Sequence, residues 1–133
     1  MYPRLVIDLK KLKSNLDAVA HITKDQGGCS LMIVTKGLCA DKEMAHMVAE
    51  HPAVDFVADS RVKNISTYAD QVRKNGKMTV LLRIPMHDEV AEVVKYADLS
   101  FNSELSTIRL LDSEAKKAGV CHKILLMIDL GDL

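Results

Sequence analysis

The chain has 133 residues, of which 48% are hydrophobic and 27% charged, and its 18 basic and 18 acidic side chains leave no formal net charge. This length is enough for one modest domain, and the composition is ordinary for a globular protein. Zero net charge with only three Tyr and two Phe excludes the basic, aromatic-rich surface of nucleic-acid-binding proteins, and no apolar stretch approaches the length of a membrane span.

A short strand and a long helix are the first predicted elements. Leu5–Ile7 is a run of strand-forming residues, and Asp8 is a good N-cap for the helix that follows. An apolar face at helical spacing predicts this helix, and Gly27 is placed to end it. The side chains predicted to face inward are Leu9, Leu12, Leu16, Val19 and Ile22.

The next apolar run, Leu31–Thr35, is too short for a helix and predicts a buried strand. It ends at Lys36, although burying an ammonium group is costly unless the charge is paired or neutralised. A lysine at the mouth of a strand can be a nucleophilic amine of the kind that forms Schiff bases. Alternatively, Lys36 simply extends its charge to water, and the residue alone does not decide between the two.

Strands and helices then alternate to the end of the chain. The further predicted strands are Val54–Ala58, Thr79–Ile84, Leu99–Phe101 and Lys123–Ile128. The apolar faces of the helices between them are Met44, Met47 and Val48; Val62, Ile65, Ala69 and Val72; Val90, Val93, Val94 and Ala97; and Leu105, Ile108, Leu111 and Ala115. Asp41 and Ser103 are predicted N-caps. This alternation predicts right-handed β/α units around a parallel sheet.

The predicted fold is therefore α/β, the N-terminal part of a (β/α)8 TIM barrel with about five β/α units plus a leading strand and helix. A complete barrel needs eight units and typically about 250 residues, and a partial one leaves apolar strand edges unpaired. We expect residues 1–133 to be a partial barrel domain from the N-terminal part of a longer protein, with the remaining barrel strands absent from this chain.

Polar side chains follow every core strand. Ligands bind at the carboxyl ends of the strands in parallel α/β folds. In this chain those ends carry Lys36, Asp59-Ser60-Arg61, Arg83, Asn102-Ser103 and Asp129. Because five such ends meet at one rim, they indicate a site. Arg83 is predicted one residue before its strand ends, and it either belongs to this site, extends to water or pairs with Asp59.

Several ordered segments carry a pattern over the whole chain: Tyr2-Pro3-Arg4, Ile7-Asp8-Leu9, Val34-Thr35-Lys36-Gly37, Ala58-Asp59-Ser60-Arg61, Leu82-Arg83-Ile84-Pro85, Asn102-Ser103-Glu104-Leu105, and Met127-Ile128-Asp129-Leu130-Gly131-Asp132-Leu133. Together they resemble the alanine racemase family, pyridoxal-phosphate enzymes built on a TIM barrel, and within it the ornithine racemase-like enzymes. The resemblance implies an amino-acid racemase of ornithine or alanine type with pyridoxal 5'-phosphate as cofactor.

By this resemblance Lys36 has two roles. It matches the lysine that holds pyridoxal phosphate as a Schiff base, and as a free amine it is one of two acid/bases acting at the Cα proton of the substrate. With the polar rim, the candidate cofactor-binding residues are Lys36, Arg83, Asn102 and Asp129.

The resemblance also implies parts that this chain lacks. In the family the second acid/base is a tyrosine from a C-terminal β domain of the partner subunit, and the phosphate-binding loops follow late barrel strands. None of Tyr2, Tyr68 and Tyr96 matches that tyrosine, since they lie at the terminus or on predicted helices. We expect the full-length protein to be a cytoplasmic homodimer with a small-molecule amino-acid substrate, and residues 1–133 alone to be inactive.

Two alternatives share the barrel. Non-catalytic pyridoxal-phosphate-binding homeostasis proteins usually carry Gly-Glu-Asn where this chain has Asp59-Ser60-Arg61, and a decarboxylase of the same fold type is less similar in its early motifs. No metal site is predicted, because the histidines lack ligand spacing and Cys29, Cys39 and Cys121 form no C-x-x-C pair. Thiols so arranged are expected to stay reduced.

Overall fold

A computed structural model describes residues 3–131; Tyr2 and the Asp132-Leu133 end of the last motif lie outside this range. The helices are α1 (Leu9–Ala20), α2 (Lys42–Glu50), α3 (Val62–Ser66), α4 (Ala69–Lys74), α5 (Val90–Tyr96) and α6 (Leu105–Ala118). The strands are β1 (Met32–Val34), β2 (Phe56–Asp59), β3 (Met78–Leu81), β4 (Leu99–Asn102) and β5 (Lys123–Leu126). A π-helical segment, His21–Gln26, extends α1, and short 3-10 turns span Lys36–Leu38 and His87–Glu89.

The five strands form one sheet in the order β1-β2-β3-β4-β5, and every neighbouring pair is parallel. Helices lie between consecutive strands along the chain, so each strand is reached from the previous one by a helical crossover. This is the arrangement of the N-terminal part of a TIM barrel, and the predicted fold class is confirmed. Within residues 3–131, no helix has both the length and the apolarity needed to cross a membrane.

One face of the sheet is covered by the helices. Strand side chains alternate between faces, and the register places Val57, Leu81 and Ser100 on the same face. All three are 0% exposed, and Val57 and Leu81 belong to the hydrophobic core that also contains side chains of α1 to α6. The core therefore lies between this face and the helices.

The opposite face of the sheet is apolar and more open. It carries Phe56, Met78 and Phe101, which are half-buried, and Val34 and Leu125, which are exposed. Among the described residues, this face contributes no side chain to the helix-packed core. An apolar sheet face of this kind is the one that turns inward in a β/α barrel.

The leading strand predicted over Leu5–Ile7 is not formed. Leu5 and Val6 are 80% and 85% exposed, and β1 is an edge strand of the described sheet with β2 as its neighbour. A strand needs a neighbour that accepts and donates its backbone hydrogen bonds, and within residues 3–131 this segment has none.

The single helix predicted from Val62 to Val72 is also wrong, because α3 and α4 are separate. The break falls at Thr67 and Tyr68, where the Thr67 hydroxyl donates to the Asn64 carbonyl at 2.7 Å and so competes with the helix for a backbone acceptor. The inward spacing of the apolar residues is nevertheless right, since Val62, Ile65, Ala69 and Val72 are all buried.

The predicted helix caps have mixed outcomes. Asp8 caps α1 by accepting from the amides of Lys10 and Lys11, and Asp41 caps α2 by accepting from that of Met44. Ser103 is not a cap, because α6 begins after Glu104 without a side-chain capping bond. Three side chains predicted to face inward are exposed instead: Val19, Ile22 and Leu105.

Candidate functional site

Lys36 lies just beyond β1, at the carboxyl end of an edge strand. The Thr35 amide still donates to Ala58 O of β2 at 2.8 Å, but Thr35 then takes helical backbone angles (φ −94°, ψ −8°) and Lys36 begins a short turn. The Lys36 side chain is exposed, and within the described range no carboxylate forms an ion pair with its amine. The amine is therefore open to a ligand.

The backbone after Lys36 is strained. Cys39 and Ala40 both have positive φ angles, of 50° and 54°, and left-handed geometry costs a non-glycine residue roughly 1–2 kcal/mol. Hydrogen bonds hold the turn, since the amides of Leu38 and Ala40 both donate to Thr35 O at 3.2 Å. Strain of this kind persists only where the surroundings hold it, and it is frequent at functional sites.

Beneath the turn lies a buried hydrogen-bond chain of Tyr68, Thr35 and Asp59. Thr35 Oγ1 is 2.9 Å from Asp59 Oδ2 and 3.3 Å from Tyr68 Oη. Ala58 O is a further acceptor, 3.2 Å from Thr35 Oγ1. A hydroxyl has one proton, so Thr35 donates to the nearer carboxylate oxygen and Tyr68 donates to Thr35. Burial raises the pKa of Tyr68, which keeps its hydroxyl a donor. All three side chains are 2% exposed or less.

The second oxygen of Asp59 binds the start of α3. Asp59 Oδ1 accepts from the Arg61 amide at 2.9 Å and from Asn64 Nδ2 at 3.1 Å. No cation pairs with this carboxylate among residues 3–131, so hydrogen bonds stabilise its buried charge. Asp59 therefore faces the protein interior rather than the polar rim where the sequence placed it.

Arg83 lies outside its strand and pairs with a glutamate. β3 ends at Leu81, so Arg83 is in the following loop and not before the strand end as predicted. Its guanidinium forms a two-point pair with Glu89, with Nη2–Oε2 at 2.9 Å, while Nε donates to Ser60 O at 2.7 Å and Nη1 to Ile84 O at 3.1 Å. Four of the five N–H donors of the guanidinium are thus occupied.

The Arg83–Glu89 pair predicts a pH-dependent stability. The hydrogen bond from Arg83 holds the pKa of Glu89 below its usual value, so the pair stabilises the fold above about pH 4.3, the unfolded value. That contribution is lost as the pH falls through the lower folded value. We expect the wild type to be about 1 kcal/mol more stable than Glu89→Gln at pH 7.

Urea unfolding at pH 7 and pH 3 measures this difference, which should shrink toward pH 3. Glu92→Gln is the matched control, because Glu92 lies in α5, the helix that Glu89 precedes, and is exposed. A Glu89→Gln difference that does not change with pH would contradict the role of the pair.

Asn102 is the last residue of β4 and is 0% exposed. Its Nδ2 donates to Ser100 O at 3.2 Å and to Ser100 Oγ at 2.9 Å. A carbonyl only accepts, which fixes the amide orientation and leaves Asn102 Oδ1 buried without a partner among the described residues. Ser100 Oγ also lies 2.7 Å from His122 Nε2, and burial lowers the pKa of His122, so the neutral ring accepts. Asn102 lies on the helix-covered face.

Asp129 is exposed beyond β5 and accepts from the Gly131 amide at 2.7 Å. β5 ends at Leu126 rather than at Ile128 as predicted. Adjacent strands are about 4.8 Å apart, so Lys36 and Asp129, at the two edges, are about 19 Å apart along the sheet. One small ligand contacts both only if the sheet curves around it.

Of the four predicted site residues, the structure leaves Lys36 and Asp129 exposed at the rim, engages Arg83 with Glu89 and buries Asn102. Sequence reasoning missed the roles of Thr35 and Tyr68, because these residues are 33 positions apart and no local pattern links them. Within residues 3–131, no three His, Cys, Asp or Glu side chains are grouped as metal ligands would be.

Comparison with known proteins confirms the family predicted from the motifs. Residues 7–133 match the model of the alanine racemase N-terminal domain. Over its whole length the chain is 42% identical to an ornithine racemase of Acetoanaerobium sticklandii and 30% identical to a lysine racemase of Thermotoga maritima. It spans 36% of the length of each of these relatives. No solved structure matches the chain significantly.

Proposed function

The chain belongs to the alanine racemase N-terminal domain family, and from this premise we propose that the full-length protein is an amino-acid racemase in which Lys36 holds pyridoxal 5'-phosphate. One observation carries the proposal: the exposed amine of Lys36 stands beyond β1, at the carboxyl ends of a parallel sheet. Ligands bind at these ends in folds of this kind. The names of the two relatives point to ornithine or lysine as the substrate.

The described residues fit one end of this cofactor. Pyridoxal phosphate presents an aldehyde, and a primary amine without an ion-pair partner is the side chain that bonds to it. Arg83 keeps one N–H donor beside its pair with Glu89, which is little for binding a phosphate. The cofactor-binding roles of Arg83, Asn102 and Asp129 stay predictions, and we propose that the phosphate contacts lie outside residues 1–133.

In the proposed mechanism Lys36 acts twice. It holds the cofactor, and as a free amine it takes or returns the Cα proton on one face of the amino acid. When bound, the cofactor supplies an electron-accepting ring that stabilises the charge left on Cα. Racemisation needs a second acid/base on the opposite face. Tyr68 cannot supply it, because it is 2% exposed beneath the helices, so we place this group outside the chain.

The test uses the full-length protein with added pyridoxal 5'-phosphate. Chiral chromatography should show L-ornithine or L-lysine converted to the D-form faster than L-alanine. Borohydride reduction followed by peptide mass spectrometry should place the fixed cofactor on Lys36. Residues 1–133 tested alone should show no turnover.

Attachment to a different lysine would contradict the role of Lys36. Attachment to Lys36 without racemisation of any amino acid would favour the non-catalytic homeostasis protein. The homodimer and the cytoplasmic location also stay predictions, which sedimentation and cell fractionation would check.

A further inference from the structure

Lys36 depends for its position on the residue before it. Within residues 3–131 no ion pair fixes the amine at the end of its side chain. The position of the lysine therefore depends on its backbone, which directly follows Thr35. Every polar group of Thr35 is engaged. The amide donates to Ala58 O, the carbonyl accepts from Leu38 and Ala40, and the hydroxyl contacts Asp59 and Tyr68.

The carbonyl of Thr35 helps to hold the strained turn that follows Lys36. Cys39 and Ala40 would relax from their positive φ angles unless the turn were held closed. Thr35 O accepts two of the four backbone hydrogen bonds that close it, from Leu38 and Ala40; the other two run from Cys39 N to Lys36 O and from Asp41 N to Leu38 O. Movement of Thr35 would therefore change both the start of the Lys36 side chain and the closure of the turn.

The side chain of Thr35 is fixed from two other elements. Asp59 ends β2, and it is itself held by the Arg61 amide and Asn64 Nδ2 at the start of α3. Tyr68, between α3 and α4, donates to the same hydroxyl at 3.3 Å. Since all three side chains are buried, water does not compete for these hydrogen bonds.

We propose that the buried chain Tyr68–Thr35–Asp59 positions Lys36, by locking Thr35 and with it the strained turn from Lys36 to Ala40. Tyr68, Thr35 and Asp59 are positioning residues, since all three side chains are buried away from solvent. The inference rests on the proposed function of Lys36 and adds the residues that orient it.

Thr35→Val is the central variant, because valine keeps the shape of threonine and removes the hydroxyl. Thr35→Ser restores the hydroxyl and should restore the behaviour of the wild type. Thr79→Val is the matched control: Thr79 is a strand threonine, 0% exposed, whose hydroxyl donates to Tyr96 O at 2.7 Å. Tyr68→Phe is a milder change in the same chain, and it serves if Thr35→Val does not fold.

Two measurements on the full-length protein test the proposal. Hydrogen exchange without cofactor should show the Leu38 and Ala40 amides exchanging about tenfold faster in Thr35→Val. Borohydride trapping should show pyridoxal phosphate attaching to Lys36 about tenfold more slowly. Tyr68→Phe should shift both in the same direction by less, while Thr79→Val should leave both unchanged.

The outcomes separate this inference from the function on which it rests. The proposed positioning of Lys36 is wrong if Thr35→Val leaves amide exchange in the turn unchanged. It is also wrong if the variant changes amide exchange but not the rate at which pyridoxal phosphate attaches to Lys36. If the wild type attaches no cofactor at Lys36, the proposed function fails, and with it the positioning of a cofactor lysine. Equal effects of Thr35→Val and Thr79→Val would mean that the Tyr68–Thr35–Asp59 hydrogen bonds contribute only to general stability, and this would overturn the proposal.

Discussion

Replacing Lys36 with alanine in the full-length protein is expected to remove bound pyridoxal phosphate and to lower racemisation by about 10³-fold or more. The change removes both the amine proposed to hold the cofactor and the proposed base. Because the side chain is exposed and unpaired in the described structure, the free energy of unfolding measured without cofactor should change by less than about 0.5 kcal/mol. Loss of activity with unchanged stability is therefore the expected signature.

Two further variants sharpen this result. Lys36→Arg keeps the positive charge but not the nucleophilic amine, so it should be as inactive as Lys36→Ala. Lys42→Ala is the matched control, since Lys42 is an exposed lysine at the start of α2, and it should keep full activity. If Lys36→Ala retains both racemase turnover and the visible absorbance band of bound pyridoxal phosphate, the cofactor is held by another residue.

Replacing Tyr68 with alanine is expected to cost about 3–5 kcal/mol of unfolding free energy, the usual cost of deleting a buried aromatic side chain. Tyr68 is 2% exposed and belongs to the hydrophobic core between the sheet and the helices. Since domains are commonly stable by only about 5–15 kcal/mol, this variant should approach the limit of folding. Urea denaturation followed by circular dichroism measures the loss.

The hydroxyl and the ring of Tyr68 contribute separately. Tyr68→Phe keeps the ring, so it should cost only about 1 kcal/mol, the net value of one hydrogen bond. Tyr96→Ala offers a comparison, because Tyr96 is only half-buried against the same core and should cost less than Tyr68→Ala. Equal losses for Tyr68→Phe and Tyr68→Ala would mean that the hydroxyl network, rather than packing, dominates.

Arg83 has a different role from the one that its position in the sequence predicted. Because it lies near a strand end, its guanidinium was predicted to be available to a ligand. The structure instead uses Arg83 to join Ser60, after β2, to Glu89, before α5. Glu89 follows Arg83 by six positions across a proline, a spacing that belongs to no regular element, so no periodic pattern could have revealed the pair.

The alternation of strands and helices, the parallel sheet, the Asp8 and Asp41 caps, the family and the candidate lysine could all be predicted from the amino-acid sequence. These features depend on local periodicity, on caps that bond to amides within three residues and on motif order, and all of these can be identified in the sequence without knowledge of long-range contacts.

Which polar residues at the strand ends are exposed, buried or paired followed from the tertiary structure alone. It buried Asp59 and Asn102, paired Arg83 with Glu89 and divided α3 from α4. Within the described residues, it also left Leu5–Ile7 without a strand neighbour. The physical reason is that burial, ion pairing and strand pairing depend on contacts between distant parts of the chain. Thr35 and Tyr68 are 33 residues apart in sequence, and folding brings them together beneath Lys36.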